Sequence, residues 1–262
     1  MTCNLSFFDY DVSVASLVNT GLKRSSNQDE VICCPEAGFY AVSDGMGGLL
    51  YGGKTSQLIQ QTLPKAINRA LNEYLIHQSI AHAAQLLGQL VGQLSDLIYH
   101  SGNSDGHIHF GATLSGVWLT GRHAFFVNLG DSRGYLLQRY KRGINQVTID
   151  HNVAALLVQQ GEITREEVRG HPSSSILTRF MGMNAPASPD VFIREVQPGD
   201  RILLCSDGLH GMVEDTSFPE IMRSSKSLSR ISEHLVNEAN ANGGRDNISV
   251  VLIKIKSKEC DS

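Results

Sequence analysis

The sequence is poor in the features that mark several large protein classes. It has five cysteines, Cys3, Cys33, Cys34, Cys205 and Cys260, with no C-x-x-C spacing. Neither a disulfide framework nor a thiolate zinc site is indicated, and a reducing cytoplasm is the expected compartment. It has no block of lysine or arginine, and 22 Lys+Arg against 26 Asp+Glu leave a formal charge of −4. That removes the electrostatic footprint of a nucleic-acid binder or a polybasic membrane-surface protein. No run approaches the roughly 18 apolar residues of a membrane span. The first basic residue is Lys23, with Asp9 and Asp11 ahead of it, so no secretory leader is expected. Repeats, low-complexity tracts and Pro/Gly linkers are also missing, which makes one domain, 1–262, the expected organisation. The chain is 41% hydrophobic and 18% charged, enough to bury a full core. Protein or small-molecule substrates remain as partners, and a monomer is expected.

Apolar patterning predicts strands at Val14–Asn19, Val31–Cys33 and Phe39–Ser43, then helices from Thr55 to about Ile76 and from about Ser79 to Tyr99. Between Phe110 and Asp150, runs at Thr113–Leu119, His123–Leu129, Gly134–Arg139 and Asn145–Ile149 are separated by only two to five turn residues. Connections that short predict antiparallel hairpins. A short helix at Asn152–Gln160 should end at Gly161, followed by an irregular excursion over Glu162–Pro189. Strands at Val191–Val196, Arg201–Cys205 and Ile248–Ile255 and helices near Phe218–Arg223 and Leu228–Asn240 complete an α+β, layered, mainly antiparallel class.

The acids fall at strand ends. Phe39–Ser43 runs into Asp44-Gly45, Phe125–Leu129 into Gly130-Asp131, and Arg201–Cys205 into Ser206-Asp207-Gly208, while Arg245-Asp246-Asn247 leads into the last strand. A carboxylate there is held by rigid backbone yet open to solvent. A single Asp-Gly is an ordinary turn. Four at strand mouths, together with Asn27-Gln28-Asp29, form a hard all-oxygen set suited to magnesium or manganese. Paired ions about 3.5–4 Å apart would activate water and clamp a phosphoryl oxygen. Metal-assisted phosphoester hydrolysis is the chemistry suggested.

These residues resemble the metal-dependent protein phosphatases, the type-2C or PPM family, from Gly21 to Ile255. The shared motifs, in order, are Gly21–Asp29, Val42–Gly48, Gly111–Thr113, Asn128–Arg133, Thr148–His151, Leu177–Arg179, Pro198–Asp200, Cys205–Gly208 and Gly244–Asn247. The resemblance implies a sandwich of two antiparallel sheets flanked by helices, with a variable flap at about 161–189 carrying Ser173–Ser175 past the substrate peptide. It implies hydrolysis of phosphoserine and phosphothreonine in proteins, opposing a bacterial serine/threonine kinase. Two Mn²⁺ or Mg²⁺ ions, with a third in bacterial members, are the implied cofactors. Asp44 would bridge the two ions, Asp207 and Asp246 would complete the first, and the Gly45 carbonyl would serve the second, with Asp29 holding its waters. Asp131 with Asp207 matches the third position, Arg24 the phosphate-binding arginine, and Asn247 would support Asp246. Two bound divalent ions would bring the formal charge near zero.

Two positions depart from the family pattern. Gln28 stands where many members have Glu, which removes one charge beside the second ion. Met46 stands where animal members carry a proton-donating histidine, and a thioether has no proton to give. Met at this position is typical of bacterial stand-alone members, and His151 is a candidate replacement donor.

Gly48–Thr55 also matches the P-loop pattern G-x-x-x-x-G-K-[ST], and Ile202–Leu204 leading to Asp207 imitates the second nucleotide-binding motif. A P-loop requires parallel βαβ units, for which Phe110–Asp150 has no room. Lys54 is therefore expected on the solvent side of the following helix. His107 and His109 are expected as polar strand surface, Trp118 as core, and Cys33-Cys34 as strand packing. A catalytically silent phosphatase-like binding module is the alternative from another class. No C-x₅-R signature of a cysteine phosphatase is present.

Overall fold

The computed structural model describes residues 2–4, 8–46, 51–77, 79–102, 109–184 and 187–258. Its strands are β1 (Thr2–Asn4), β2 (Asp11–Asn19), β3 (Asp29–Cys34), β4 (Phe39–Asp44), β5 (Leu114–Thr120), β6 (His123–Leu129), β7 (Arg133–Leu137), β8 (Asn145–Gln146), β9 (Asp190–Glu195), β10 (Arg201–Cys205) and β11 (Ile248–Lys256). Its helices are α1 (Gly52–His77), α2 (Ile80–Gly102), α3 (Val153–Gln160), α4 (Asp207–His210), α5 (Phe218–Arg223) and α6 (Leu228–Ala241). One sheet has the order β1-β2-β11-β10-β7-β8 and the other β3-β4-β5-β6-β9. Every strand pair is antiparallel. This is the layered α+β architecture expected from the sequence. No described helix is long and apolar enough to cross a membrane.

Alternation along the strands builds three apolar layers. In β4, Phe39 and Ala41 face α1 and α2, while Tyr40 and Val42 face the opposite sheet. In β10, Ile202 and Leu204 point into the space between the sheets, and Leu203 and Cys205 meet α4, α5 and α6. Both faces of each sheet are covered, which is why these strands read as nearly continuous apolar runs. Trp118 is core, as expected, and its indole N–H donates to the Ala37 carbonyl at 2.9 Å. Burying a side chain of this size stabilises the fold by about 1.5–3 kcal/mol.

The expected series of hairpins is only partly built. β5 pairs with β6, and β7 pairs with β8, but β6 and β7 lie in different sheets. The connection Gly130-Asp131-Ser132 carries the chain across the sandwich. Gly130 adopts φ +119°, and a Cβ there would lie 2.6 Å from the Thr113 side chain, so only glycine fits this crossing. β8 is shorter than expected because the chain bends back on Gly134, whose N–H donates to Thr148 Oγ1 at 2.9 Å and whose carbonyl accepts from Val147 N at 2.8 Å. The short α3 is closed as expected. Asn152 accepts from Ala155 N at its start, and Gly161 ends it in the left-handed region.

Candidate active site

The acids converge because their strands end on one rim of the sandwich. The β3–β4 register sets Asp29 directly opposite Asp44. The Asp44 carboxyl lies close enough to those of Asp29 and Asp207 for their charges to raise its hold on a proton. Thr113 fixes this end of β4: its Oγ1 accepts from Asp44 N at 3.1 Å, and its own N–H donates to the Asp44 carbonyl at 2.8 Å. The Thr113 hydroxyl also meets Ser132 Oγ at 2.7 Å, which couples Asp44 to the crossing that carries Asp131.

Asp207 opens α4 directly after β10. A Cβ on the next residue, Gly208, would fall 1.9 Å from the Asn247 carbonyl oxygen, so glycine lets the start of β11 pack against α4. Asp246 is thereby placed beside Asp207. Ser206 ties the two sheets together behind the acids, since its hydroxyl donates to Asp29 Oδ2 at 2.8 Å and accepts from Ser249 N at 3.0 Å.

Burial raises the affinity of these carboxyls for protons. Asp29 is pushed up to about 7, by burial first, against a hydroxyl bond from Ser206. Asp207 is pushed up to about 6, again by burial first and then by Asp246. Asp44 and Asp131 are held well above the usual carboxylate range by burial and then by neighbouring aspartates. For Asp44 those neighbours are Asp29, Asp207, Asp131 and Asp246, so all five acids share one field.

Among the described residues, no three acidic, histidine or cysteine side chains already surround one point as a metal would draw them. The fit to hard cations rests on the donors themselves. Asp29 Oδ1 and Asp207 Oδ1 are buried without a hydrogen-bond partner, a costly state for a carboxylate oxygen that a cation would relieve. The whole set is oxygen, as magnesium and manganese prefer.

Arg24 stands beside the acids. Its Nη2 donates to Asp246 Oδ2 at 2.7 Å, and its side chain is 44% exposed. The Asp246 hydrogen bond and charge, with further attraction from Asp207 and Asp44, hold the arginine protonated. Asn247 positions its loop. The Asn247 side chain donates to the Thr20 and Ser26 carbonyls, each at 2.9 Å, and accepts from Gln28 N at 2.9 Å. Leu22 N and Lys23 N add bonds to the Gly244 carbonyl. Asn247 N also donates to Asp246 Oδ1 at 2.8 Å, so one residue supports both the acid and the arginine loop.

Several other expectations meet the structure here. Gln28 acts through its backbone carbonyl, which accepts from Gly45 N at 3.1 Å and Ser56 Oγ at 2.5 Å and so joins α1 to the acidic rim. Met46 bonds Gly111 through its backbone, at 3.0 Å. His151 is 2% exposed and both ring nitrogens are engaged, Nδ1 by Gly130 N at 3.1 Å and Nε2 by Asp190 Oδ2 at 3.0 Å. It is a buried brace and not the replacement proton donor. Asp190 is shared with Arg179, at 2.9 and 3.1 Å, and is held below the ordinary carboxylate range first by the His151 bond.

No P-loop is built. Gly48–Leu50 lie outside the described residues, but Thr55 is buried with its hydroxyl turned back onto the Tyr51 carbonyl at 2.9 Å. Lys54 is exposed over the Tyr51 ring at 4.8 Å, and both sheets are antiparallel. His107 also lies outside the described residues, and His109 is in irregular chain, not a strand. Cys34 packs in the core with its thiol pushed up to about 12 by burial, while Cys33 is exposed.

The sequence motifs did not disclose the brace behind Asp131. Arg133 grips Asp150 with Nε at 2.9 Å and Nη2 at 2.7 Å, and Tyr135 OH donates to Asp215 at 3.1 Å. His210 Nε2 donates to the Asp131 carbonyl at 3.0 Å. Arg133 and Asp150 sit within quoted motifs, so that pair was detectable as opposite charges at strand ends. Tyr135, His210 and Asp215 carried no such signal.

Comparison with known proteins agrees with this geometry. The family described as Protein phosphatase 2C matches residues 23–250. The chain is 34% identical over 213 residues to the serine/threonine phosphatase stp of Listeria monocytogenes, covering 81% of this chain and 82% of that one. It is similar to the crystal structure of the serine/threonine phosphatase Stp1 from Staphylococcus aureus, with a TM-score of 0.83 at 27% identity over 94% of this chain and 95% of that one. It is also similar to the catalytic domain of the phosphatase PstP in complex with two manganese ions, with a TM-score of 0.75 at 29% identity over 94% and 98%. The chain belongs to the protein phosphatase 2C family.

Proposed function

We propose that the protein is a metal-dependent protein serine/threonine phosphatase that hydrolyses phosphoserine and phosphothreonine monoesters at the acidic rim, opposing a serine/threonine kinase. The observation that carries this proposal is the convergence of Asp29, Asp44, Asp131, Asp207 and Asp246 in one field beside Arg24. Family membership and the manganese-bound relative support the same chemistry.

Asp44, Asp207 and Asp246 would hold one Mn²⁺ or Mg²⁺ ion, and Asp44 with the Gly45 carbonyl a second, oriented by Asp29. Asp131 with Asp207 would hold a third. When bound, such ions supply Lewis acidity toward the phosphoryl oxygens and make hydroxide available near neutral pH. The chain's own contribution is placement. Thr113, Ser206 and Gly208 set the carboxylates on rigid strand ends, so little reorganisation accompanies reaction. Arg24 has five N–H donors and commits one terminal nitrogen to Asp246. The rest of its planar fork can take phosphate oxygens in a fixed orientation. No cysteine or serine nucleophile is required, so displacement by water leaves no phosphoenzyme. Since Met46 has no proton to give and His151 is committed to Gly130 and Asp190, solvent water protonates the leaving alkoxide.

The decisive measurement is phosphate release from a phosphothreonine peptide with Mn²⁺, with chelator, and with Asp207→Asn. Activity is expected with metal only and only in the unsubstituted protein. Turnover that survives both chelator and substitution would sink the metal mechanism. An inert wild type under every metal would leave a phosphoprotein-binding module.

A further inference from the structure

The rim that carries the acids is one end of β10. The other end, roughly 13 Å away at about 3.3 Å per residue, is the reverse in charge. There a groove of about 560 Å³ is lined by Arg139, Arg201, Arg223, Lys254 and Lys256 together with Gly199, and among the described residues no acidic side chain lines it. The protein as a whole carries −4, so five cations around one concavity run against the average.

The cations are built into the fold. Arg201 and Lys254 are direct cross-strand partners, a like-charge pairing that destabilises a sheet. Burial and then Arg201, Lys256, Lys226 and Arg139 weaken the hold of Lys254 on its proton, while Arg201 is lowered by burial and then by Arg223. Arg201 donates to the Met222 carbonyl at the end of α5. Arg223 bonds the Lys141 carbonyl at 2.6 Å and the Arg142 carbonyl at 3.4 Å, which pins the loop after β7 against α5. Asp200, next to Arg201, is fully buried with both carboxylate oxygens on backbone N–H groups, Arg139 at 2.8 Å and Gln197 at 3.1 Å. It therefore offsets the groove's charge without lining it. The fold keeps the like-charged Arg201–Lys254 pair side by side at the groove, while Lys256 stands opposite Asp11 across β2 and β11.

We propose that this groove binds an oligophosphate, a ligand with two or more linked phosphate groups. Linked phosphates concentrate several negative charges in a short length, and arginine forks match their oxygens two at a time. The volume is that of a small-ligand cleft. An adjoining groove of about 1050 Å³ shares Arg139 and Arg223 and contains Tyr140, which is 78% exposed with the Arg139 guanidinium 5.0 Å from its ring. That ring is a platform on which a nucleoside base could stack, although Glu220 and Asp215 on the same wall would repel further phosphates.

The test is calorimetric titration of the full chain in excess Mg²⁺ with tripolyphosphate in one arm and adenosine triphosphate in the other. Saturable binding is expected in wild type and in Asp207→Asn, at least about tenfold weaker in Lys254→Glu and Arg139→Ala. Phosphatase activity without ligand should be unchanged in the last two. Lys254→Glu places opposite charges across β10 and β11, so without ligand it should melt no lower than wild type while losing the ligand-induced shift. Equal affinity in both arms assigns the phosphate chain alone. Tighter adenosine triphosphate binding that Tyr140→Ala removes assigns a nucleoside oligophosphate. No saturation by about 1 mM, an unchanged affinity in Lys254→Glu, or loss of binding in Asp207→Asn would each overturn the proposal, the last by placing the ligand at the catalytic rim.

Discussion

The two ends of β10 solve the problem of crowded like charge in opposite ways. At the Cys205 end the acids are drawn inward, and burial is the leading reason that Asp29, Asp44, Asp131 and Asp207 hold protons above the ordinary carboxylate range. At the Arg201 end Arg139 and Arg223 stay exposed, with Arg201, Lys254 and Lys256 half-buried, and water screens most of their repulsion. A buried cluster of one sign needs a counter-charge to be stable. An exposed one can wait for it. The acidic rim is therefore expected to depend strongly on cations, whereas the basic groove should respond only modestly to its ligand.

The strongest way to break that comparison is to remove the acid at the centre of the cluster. Asp44→Asn is expected to lower peptide hydrolysis at least about a thousandfold, because several kcal/mol of metal-assisted stabilisation would go with it. In chelator the same variant should melt about 2–4 °C higher than wild type, since one of several mutually repelling carboxylates has been neutralised. The rise in melting temperature that Mn²⁺ gives wild type should disappear. A variant less stable in chelator than wild type would mean that the acids are held by their shared protons and not strained by their charge.

A smaller effect sharpens the boundary between acid and arginine. Arg24→Ala is expected to reduce kcat/KM by about 10–100-fold, the range of a charge-assisted hydrogen bond. Asn247→Ala, which frees the loop over residues 20–28, should reduce it by about tenfold, while the Mn²⁺-induced rise in melting temperature stays. If Asn247 acts by positioning Arg24, the double variant should be little worse than Arg24→Ala alone. Additive losses would show that Asn247 serves Asp246 independently. Lysine at position 24 should restore only part of the loss, since an ammonium cannot present the fork.

How much of this was legible beforehand depends on range. Alternation and turn spacing placed most strands and both long helices, and the Asp-Gly strand ends located the acidic rim, because both are local signals. What the sequence alone could not show was partnership across the sandwich. Gly130 looks like an ordinary turn glycine, yet it opens the connection that carries the chain from one sheet to the other, with the Thr113 side chain packed against it. Ser206 is a serine beside an aspartate until the fold brings Asp29 to it from 177 residues away. His151 was open to either role, and only Asp190 and Gly130 made it a brace. The basic groove was invisible for the same reason, since Arg139, Arg201, Arg223 and Lys254 are scattered over more than a hundred residues with no run of charge.

The finest contrast between buried and exposed charge lies at His210, a base at the acidic rim that is kept neutral. Burial first, and then Arg133, push its pKa down to about 3, while its Nε2 hydrogen serves the Asp131 carbonyl. The unfolded chain takes up this proton near pH 6.5. Between about pH 6.5 and 3 the unfolded state therefore binds more protons than the folded one. Stability contributed by the neutral ring is complete above pH 6.5 and lost as pH falls, by at most about 1.4 kcal/mol per pH unit. His210→Gln can keep a donor to Asp131 and cannot be charged. Relative to wild type it should gain about 1–2 kcal/mol on moving from pH 7.5 to pH 5 in urea melts, whatever the neighbouring aspartates do, because they titrate in both proteins. An unchanged difference between the two pH values would mean that the ring is already solvated in the folded state. The acidic rim would then be wetter at this edge than the Asp131 contact implies.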